Sequence, residues 1–480
     1  MKEKDPMKDS ESDGLTTTMT NTLNFGAISI YLEFFSKCFD GLGCVKVDES
    51  WYDKKIRPVN LKPFEREIIN TEFILVMRNS THKNKNEIYY QVLTTDGMAL
   101  QNAGYIQGKF LFILLHDFTS NGYTGWIKHI TKVLKSRTVE CNVISVDWHA
   151  GSEPPYDQAI ANARVVALEV THFLKFLRES HNVTLEQVHL IGHGVGAHIA
   201  GYVGHELKVK KISGLDPSGP RFDGMPAQVK LDATDADYVE VLHTDVGARC
   251  STKQSDVLSL TRSGLNKGEI IPGCSHKRAF KYYIESLEIE DCTFLGIKCG
   301  SYLEFKQGKC TDCGENCRTF GLVTYSKRNN GSYFLQTNSK KPYCLFQYRV
   351  NVHIGAKKPD YFGSFEFFLM DQNYRSTKSS MLEHRGFKPG KENSFVFYAT
   401  VPEMGKIVNA KVGWIEGSRV GWSEGKISLC LINCKRVIDV ERLTIQSINS
   451  NTIYAQEVAL CPDEGITEIQ SGDFQEFSVC

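Results

Sequence analysis

The chain has 480 residues, 56 basic and 56 acidic side chains, a formal net charge of +0, 41% apolar and 23% charged residues. That balance is ordinary for folded domains and excludes disorder of the whole chain, which needs low hydrophobicity and high net charge. It also lacks the net basic footprint of a nucleic-acid binder, and no apolar run reaches the ~18 residues of a membrane-spanning helix. At ~150 residues per domain the length implies two or three domains. Fifteen cysteines are more than a reducing cytosol accounts for, and their odd number leaves at least one thiol outside intrachain pairs.

At the N-terminus, residues 1–20 are polar and charged, and the apolar stretch 25–30 is too short for a secretory core and is followed by Glu33. Residues 1–35 therefore read as an atypical leader or extension, with a mis-assigned first exon and an intracellular protein as the alternatives. Sequons at Asn79, Asn182 and Asn330 favour an extracellular protein. Zinc is the competing use of the cysteines. Cys310 and Cys313 form one CxxC, but no second pair follows, so disulfides are favoured.

Further along, the segments 109–115, 142–148, 188–191, 211–215 and 238–242 are short apolar runs that read as buried strands. Between the second and third, residues 159–177 place Ala163, Val166, Ala167, Val170, Phe173 and Phe176 on one broad helical face. A second helix starts after Gly192-His193-Gly194-Val195-Gly196. Alternating buried strands and helices predict an α/β fold with a largely parallel sheet. Residues 292–344 are rich in Cys, Gly, Asn and Lys and read as a disulfide-tied border. After about residue 340 the pattern changes to period two, with predicted strands at 346–352, 394–398 and 407–414 separated by glycine-containing turns. That pattern predicts an antiparallel β-sandwich.

The chemistry concentrates at 189–201, HLIGHGVGAHIAG. Strand, Gly-x-x-x-Gly turn and helix form the nucleophile-elbow frame of α/β-hydrolases, in which the central residue is thrust up at the helix N-terminus. With VDWHAGSEPPYDQAIANARVVALEV at 146–170, SGLDPSGPRF at 213–222, CSHKRAFKYY at 274–283, CFDGLGC at 38–44 and RPVNLKPF at 57–64, the chain resembles the pancreatic lipase family over most of its length. The resemblance implies a lipase-like α/β-hydrolase domain over 36–340 and a PLAT-like β-sandwich over 341–480. It implies Asp216 as the acid of a catalytic triad, His276 as its base, and the backbone N–H groups of Phe118 and Val195 as the oxyanion hole. The nucleophile position is Gly194, where the family carries Ser.

Three more departures accompany that one. Asp117 replaces the middle Gly of an HGF-like motif, placing a carboxylate beside the oxyanion hole unless it turns outward. In the segment resembling the family's calcium site, Asp232 and Asp235 remain but Ala227 stands at a usual Glu position, which weakens a hard-cation site. No other cofactor is implied. The stretch between His243 and His276 is short: either Cys250 and Cys274 close a lid loop, or the lid is deleted. The resemblance also implies bridges Cys38–Cys44, Cys299–Cys310, Cys313–Cys317 and Cys461–Cys480. It leaves Cys430 and Cys434 open, and Cys292 and Cys344 as a pair or as competitors for the odd thiol. Because Thr131 lies near the expected partner position, Cys141 is the first candidate for that thiol.

Ser213, Ser218 and Ser275 flank the implied acid and base, but none sits in the elbow. The functional expectation is a secreted lipase-family protein impaired in lipid-ester hydrolysis, binding a lipid or lipoprotein surface or a protein partner through the PLAT-like domain. A working lipase or phospholipase A1 is the alternative, and a yolk-like storage protein is the third reading. Of Phe365, Phe367, Phe368, Trp414 and Trp422, at least two-thirds are expected in the sandwich core.

Overall fold

Apolar runs alternating with amphipathic helices fold into layers, because each strand must be covered on both faces. A computed structural model describes residues 19–25, 28–78, 88–93, 97–137, 140–244, 257–259, 274–306, 309–311, 313, 316–322, 331–356, 361–378, 385–399, 404–417, 437–449 and 457–480. The chain divides into two units, residues 1–239 and 240–480.

The first unit opens with β1 (Met19–Phe25), β2 (Ile28–Phe39) and β3 (Gly43–Val47), which form a three-stranded sheet clipped by the Cys38–Cys44 disulfide. After α1 (Arg66–Ile69) come β4 (Glu72–Arg78), β5 (Ile88–Leu93), α2 (Gly97–Asn102), β6 (Phe110–Leu115), α3 (Gly125–Arg137), β7 (Cys141–Asp147), α4 (Tyr156–His181), β8 (Val188–His193), α5 (Val195–Leu207), β9 (Val209–Leu215) and β10 (Ala236–Leu242). Seven of these strands form the main sheet in the order β10-β9-β8-β6-β7-β4-β5. Strands β7, β6, β8 and β9 run parallel to one another, and β6 and β8 are buried almost throughout.

All five expected strands and the expected helix are present. Helix α4 starts earlier and ends later than 159–177. Its first turn is polar, so apolar spacing did not reveal it, and it closes at Asn182 in the left-handed conformation, whose N–H bonds the Leu177 carbonyl. The antiparallel strands β4 and β5 were not anticipated, because they lie outside the strand–helix alternation that betrays the parallel core. Cys141 carries a buried thiol on β7, where the odd cysteine was expected.

The second unit contains β11 (Val257–Ser259), α6 (Cys274–Glu288), β12 (Leu295–Lys298), α7 (Tyr302–Lys306), β13 (Cys317–Thr319) and β14 (Tyr333–Gln336), with the four strands forming one sheet. Disulfides Cys292–Cys344, Cys299–Cys310 and Cys313–Cys317 tie this stretch, so Cys292 and Cys344 are a pair. Cys250, the side chain of Cys274, Cys430, Cys434 and most of the stretch where a lid is either present or deleted lie outside what is described. Segment 337–344 is strapped along α6. Arg278 donates to the Ser339 carbonyl, Thr337 Oγ1 to the Tyr282 hydroxyl, and Cys344 N–H to Glu285 Oε1. Burial pushes the Glu285 carboxyl up, against the hydrogen bonds that stabilise its charge.

Beyond the strap, β15 (Phe346–Ile354), β16 (Tyr361–Asp371), β17 (Ser376–Lys378), β18 (Arg385–Phe387), β19 (Glu392–Ala399), β20 (Ile407–Glu416), β21 (Val437–Ser447), β22 (Val458–Pro462), β23 (Glu468–Gln470) and β24 (Phe474–Val479) build an all-antiparallel sheet system, closed at its end by Cys461–Cys480. Its core is aromatic: Phe365, Phe367, Phe387, Phe395 and Trp414 are buried and meet ring to ring at 5.0–5.8 Å. Of the five aromatics singled out in the sequence, three are core. Phe368 is half-buried beneath the Lys378 ammonium, and Trp422 is outside the described residues.

Two buried histidines make the first unit sensitive to acid. His198 on α5 stacks on Phe222 at 3.7 Å, accepts the Leu231 N–H and bonds the Ser218 carbonyl. His189 on β8 bonds the Ser213 hydroxyl at 2.8 Å. Burial holds the His198 imidazole down at about 3, and burial followed by the Lys211 charge holds that of His189 well below 6.5. A folded-state value below the unfolded one means that the fold binds fewer protons, so stability is full above pH ~6.5 and is lost as pH falls from there towards ~3. Each histidine contributes up to about 1.4 kcal/mol per pH unit in that window. Urea midpoints measured between pH 7 and pH 4.5 will fall, and His198→Gln will flatten the fall. An unchanged slope in that variant would contradict the assignment.

Candidate active site at the ends of the parallel strands

The parallel register brings three segments together. Leu115 at the end of β6 pairs with Gly192 on β8, and His193 pairs with Leu215 at the end of β9. The turns leaving these strands, 116–118, 194–195 and 216–218, therefore meet at the carboxyl ends of neighbouring strands, where open α/β sheets place ligands. Gly194 takes φ 58° and ψ −119° between β8 and α5, a conformation that strains any side-chain-bearing residue. Its N–H donates to the Leu215 carbonyl at 3.1 Å, and its carbonyl accepts from Ser218 N–H at 3.3 Å. Gly192 and Gly196 pack backbone to backbone, and a Cβ on Gly192 would strike the Gly196 carbonyl.

The Asp117 side chain turns inward. Its Oδ1 accepts the Val195 N–H at 2.7 Å, and a methyl group on Gly194 would overlap its carboxyl group. The carboxylate thus sits where the side chain of residue 194 would project, on the backbone donor expected to serve the oxyanion hole. The first turn of α5 favours negative charge there, since its N–H groups lack intrahelical partners. The adjoining His116 ring is buried and stacked on Trp148. Its Nε2 faces the Trp148 N–H at 3.0 Å and Asp147 Oδ1 at 3.2 Å, and its Nδ1 faces the Asp117 carbonyl at 2.8 Å. This clamp fixes the backbone from which the carboxylate projects.

Phe118 and Tyr156 form an edge-to-face pair at 5.2 Å, and both are half-buried. Burial, with a smaller contribution from the Asp117 charge, pushes the Tyr156 hydroxyl up. Tyr156 donates to the Pro220 carbonyl. His193 is buried edge-on to Trp126, with a ring nitrogen within 4.8 Å of an Asp117 oxygen. Sequence reasoning missed Tyr156 and His193; His193 lay inside the elbow motif as an unassigned residue.

Asp216 terminates β9, buried and in the left-handed conformation at φ 48°. His276 stands in the second unit, half-buried in the first turn of α6. Ser213 is wholly buried in β9 against His189, and Ser275 is buried in α6, so neither is placed as an exposed nucleophile. Ser218 is half-buried and its N–H is spent on Gly194.

The calcium-like segment offers few oxygens to a cation. Asp232 Oδ1 accepts from the Thr234 N–H and hydroxyl, and Asp235 Oδ2 accepts the Asp232 N–H. Asp235 Oδ1 faces His205 Nδ1 at 3.6 Å. Ala227 begins a short 3₁₀ turn and supplies no carboxylate. Burial pushes the Asp235 carboxyl up to about 6. Two carboxylates already turned to protein donors fit a hard cation poorly.

Known proteins resemble this chain over most of its length. A family model described as Lipase matches residues 36–255 and 250–343. Pancreatic triacylglycerol lipase of Mus musculus is 32% identical over 358 residues, 67% of this chain and 75% of that protein. Inactive pancreatic lipase-related protein 1 of Mus musculus is 30% identical over 419 residues, 78% and 85% of the two chains. Pancreatic lipase-related protein 2 of Cavia porcellus is 32% identical over 367 residues, 71% and 81%.

Proposed function

Since the chain belongs to the pancreatic lipase family, we propose that it is a non-hydrolytic member that keeps the lipid-ester hydrolase fold and uses it to bind lipid or a protein partner outside the cell. The observation that carries this reading is the Asp117 carboxylate seated against Gly194 on the Val195 N–H. Gly194 supplies no nucleophile, and loss of the serine from a triad costs on the order of a million-fold in turnover. The carboxylate adds a second defect. A tetrahedral intermediate develops negative charge where Asp117 already carries it, and the donor meant to stabilise that charge is engaged. Asp216 and His276 are the acid and base positions that remain.

Five disulfides among the described residues support an oxidising compartment. No helix among those residues is long and apolar enough to cross a membrane. The PLAT-like domain from about residue 341 is the proposed docking module for a lipid surface or a protein partner. The segment at Asp232 and Asp235 is proposed to hold its shape without calcium, through the hydrogen bonds already made there. A melting temperature unchanged by a calcium chelator is the expected result, and a large drop would contradict it.

The main test is turnover of a short-chain p-nitrophenyl ester by folded wild type, Gly194→Ser, Asp117→Gly and the double variant. Wild type and both single variants should stay at background. The double variant should gain on the order of 10³-fold or more and lose it again with His276→Ala. Wild-type hydrolysis abolished by His276→Ala would overturn the non-hydrolytic reading. High activity in Gly194→Ser alone would show that Asp117 does not obstruct the site.

A further inference from the structure

We propose that Asn182 carries an asparagine-linked oligosaccharide. This rests on the reading of the chain as an extracellular protein and deepens it by naming a modified atom, the Asn182 side-chain nitrogen. Of the three sequons, Asn182-Val183-Thr184 is the one that lies wholly within the described residues.

The fold presents it. Asn182 closes α4 in the left-handed conformation at φ 54° and is exposed. Val183 is buried and anchors the turn, its N–H directed at the Leu177 carbonyl at 3.3 Å. Thr184 is exposed. Its N–H bonds Gln187 Oε1 at 3.4 Å, and its carbonyl accepts the Gln187 N–H at 3.0 Å. The acceptor and the hydroxyl residue thus flank one buried anchor and both face solvent, so a bulky sugar displaces no packed side chain.

Helix α4 runs from the carboxyl end of β7 to the amino end of β8. Asn182 therefore stands at the pole of the parallel sheet opposite the turns 116–118, 194–195 and 216–218. Gln187 Nε2 reaches the Gly108 carbonyl at 2.9 Å, just before β6, which fixes the sequon turn at the amino ends of the strands. That pole exposes Ile106 and Phe110. A hydrated sugar there hinders apolar contacts with other molecules and leaves the candidate site uncovered.

The transfer is one substitution. The Asn182 amide nitrogen displaces a lipid-linked diphosphate from the anomeric carbon of the oligosaccharide it carries. A C–N bond forms, the C–O bond to the diphosphate breaks, one amide proton passes to a base, and nothing is oxidised or reduced. The lipid-diphosphate oligosaccharide is the donor of the secretory lumen, where the sequon is read.

Peptide mapping after peptide-N-glycosidase treatment reads the site, since the enzyme leaves aspartate where a glycosylated asparagine stood. The full chain is secreted from a eukaryotic cell behind an added cleavable leader. Wild type and Thr184→Ser are expected to show that conversion at residue 182 after treatment and not before. Asn182→Gly, which keeps a residue suited to positive φ, and Thr184→Asn, which keeps a capping side chain, are expected to lose it. A folded, secreted wild type with Asn182 unconverted, or a conversion that survives Thr184→Asn, would overturn the modification and leave the extracellular reading intact. Retention in the cytosol of the same chain expressed without the added leader would overturn the extracellular reading and the modification with it.

Discussion

One hydrogen bond organises the candidate site: Val195 N–H to Asp117 Oδ1. It joins the turn after β6 to the first turn of α5, and it exists only because residue 194 has no side chain. A serine at 194 and an inward carboxylate at 117 compete for one volume and for one donor. Gly194 and the inward Asp117 are therefore one physical arrangement seen at two positions. A side chain placed at 194 alone would force Asp117 outward or strain the elbow, and removing the carboxylate alone would release the Val195 N–H.

The surrounding scaffold brings the backbone close where strand meets helix. Gly192 and Gly196 allow the strand and helix to touch, Gly194 has a positive φ, and Asp216 is buried at the end of β9. Hydrophobic burial in the parallel strands, which does not depend on catalysis, maintains the fold. The fold therefore does not depend on which side chains stand at the elbow, and the polarity there can vary without disturbing the core.

Much of this was legible in the residues. The continuous apolar runs of β6 to β10 and the alternating sequence pattern around β15, β19 and β20 marked the strands of both sheets. The elbow was readable because sharp reversal and close approach restrict residue types. What remained hidden was direction. Nothing in His116-Asp117-Phe118 states whether the carboxylate points inward; that depends on the vacant volume at Gly194, 77 residues later in the chain. Strands β4 and β5 escaped because they pair antiparallel, outside the strand–helix alternation of the parallel core. The pairing of Cys292 with Cys344 was likewise undecided, since disulfide connectivity is a property of the folded chain.

The central claim is that the Asp117 carboxylate occupies the Val195 amide, and heteronuclear NMR on selectively ¹⁵N-valine-labelled protein tests it most directly. The account predicts a Val195 amide proton shifted downfield and protected from exchange in wild type, losing both properties in Asp117→Gly. A Val195 amide that exchanges freely in wild type, or is unmoved by the substitution, would contradict it.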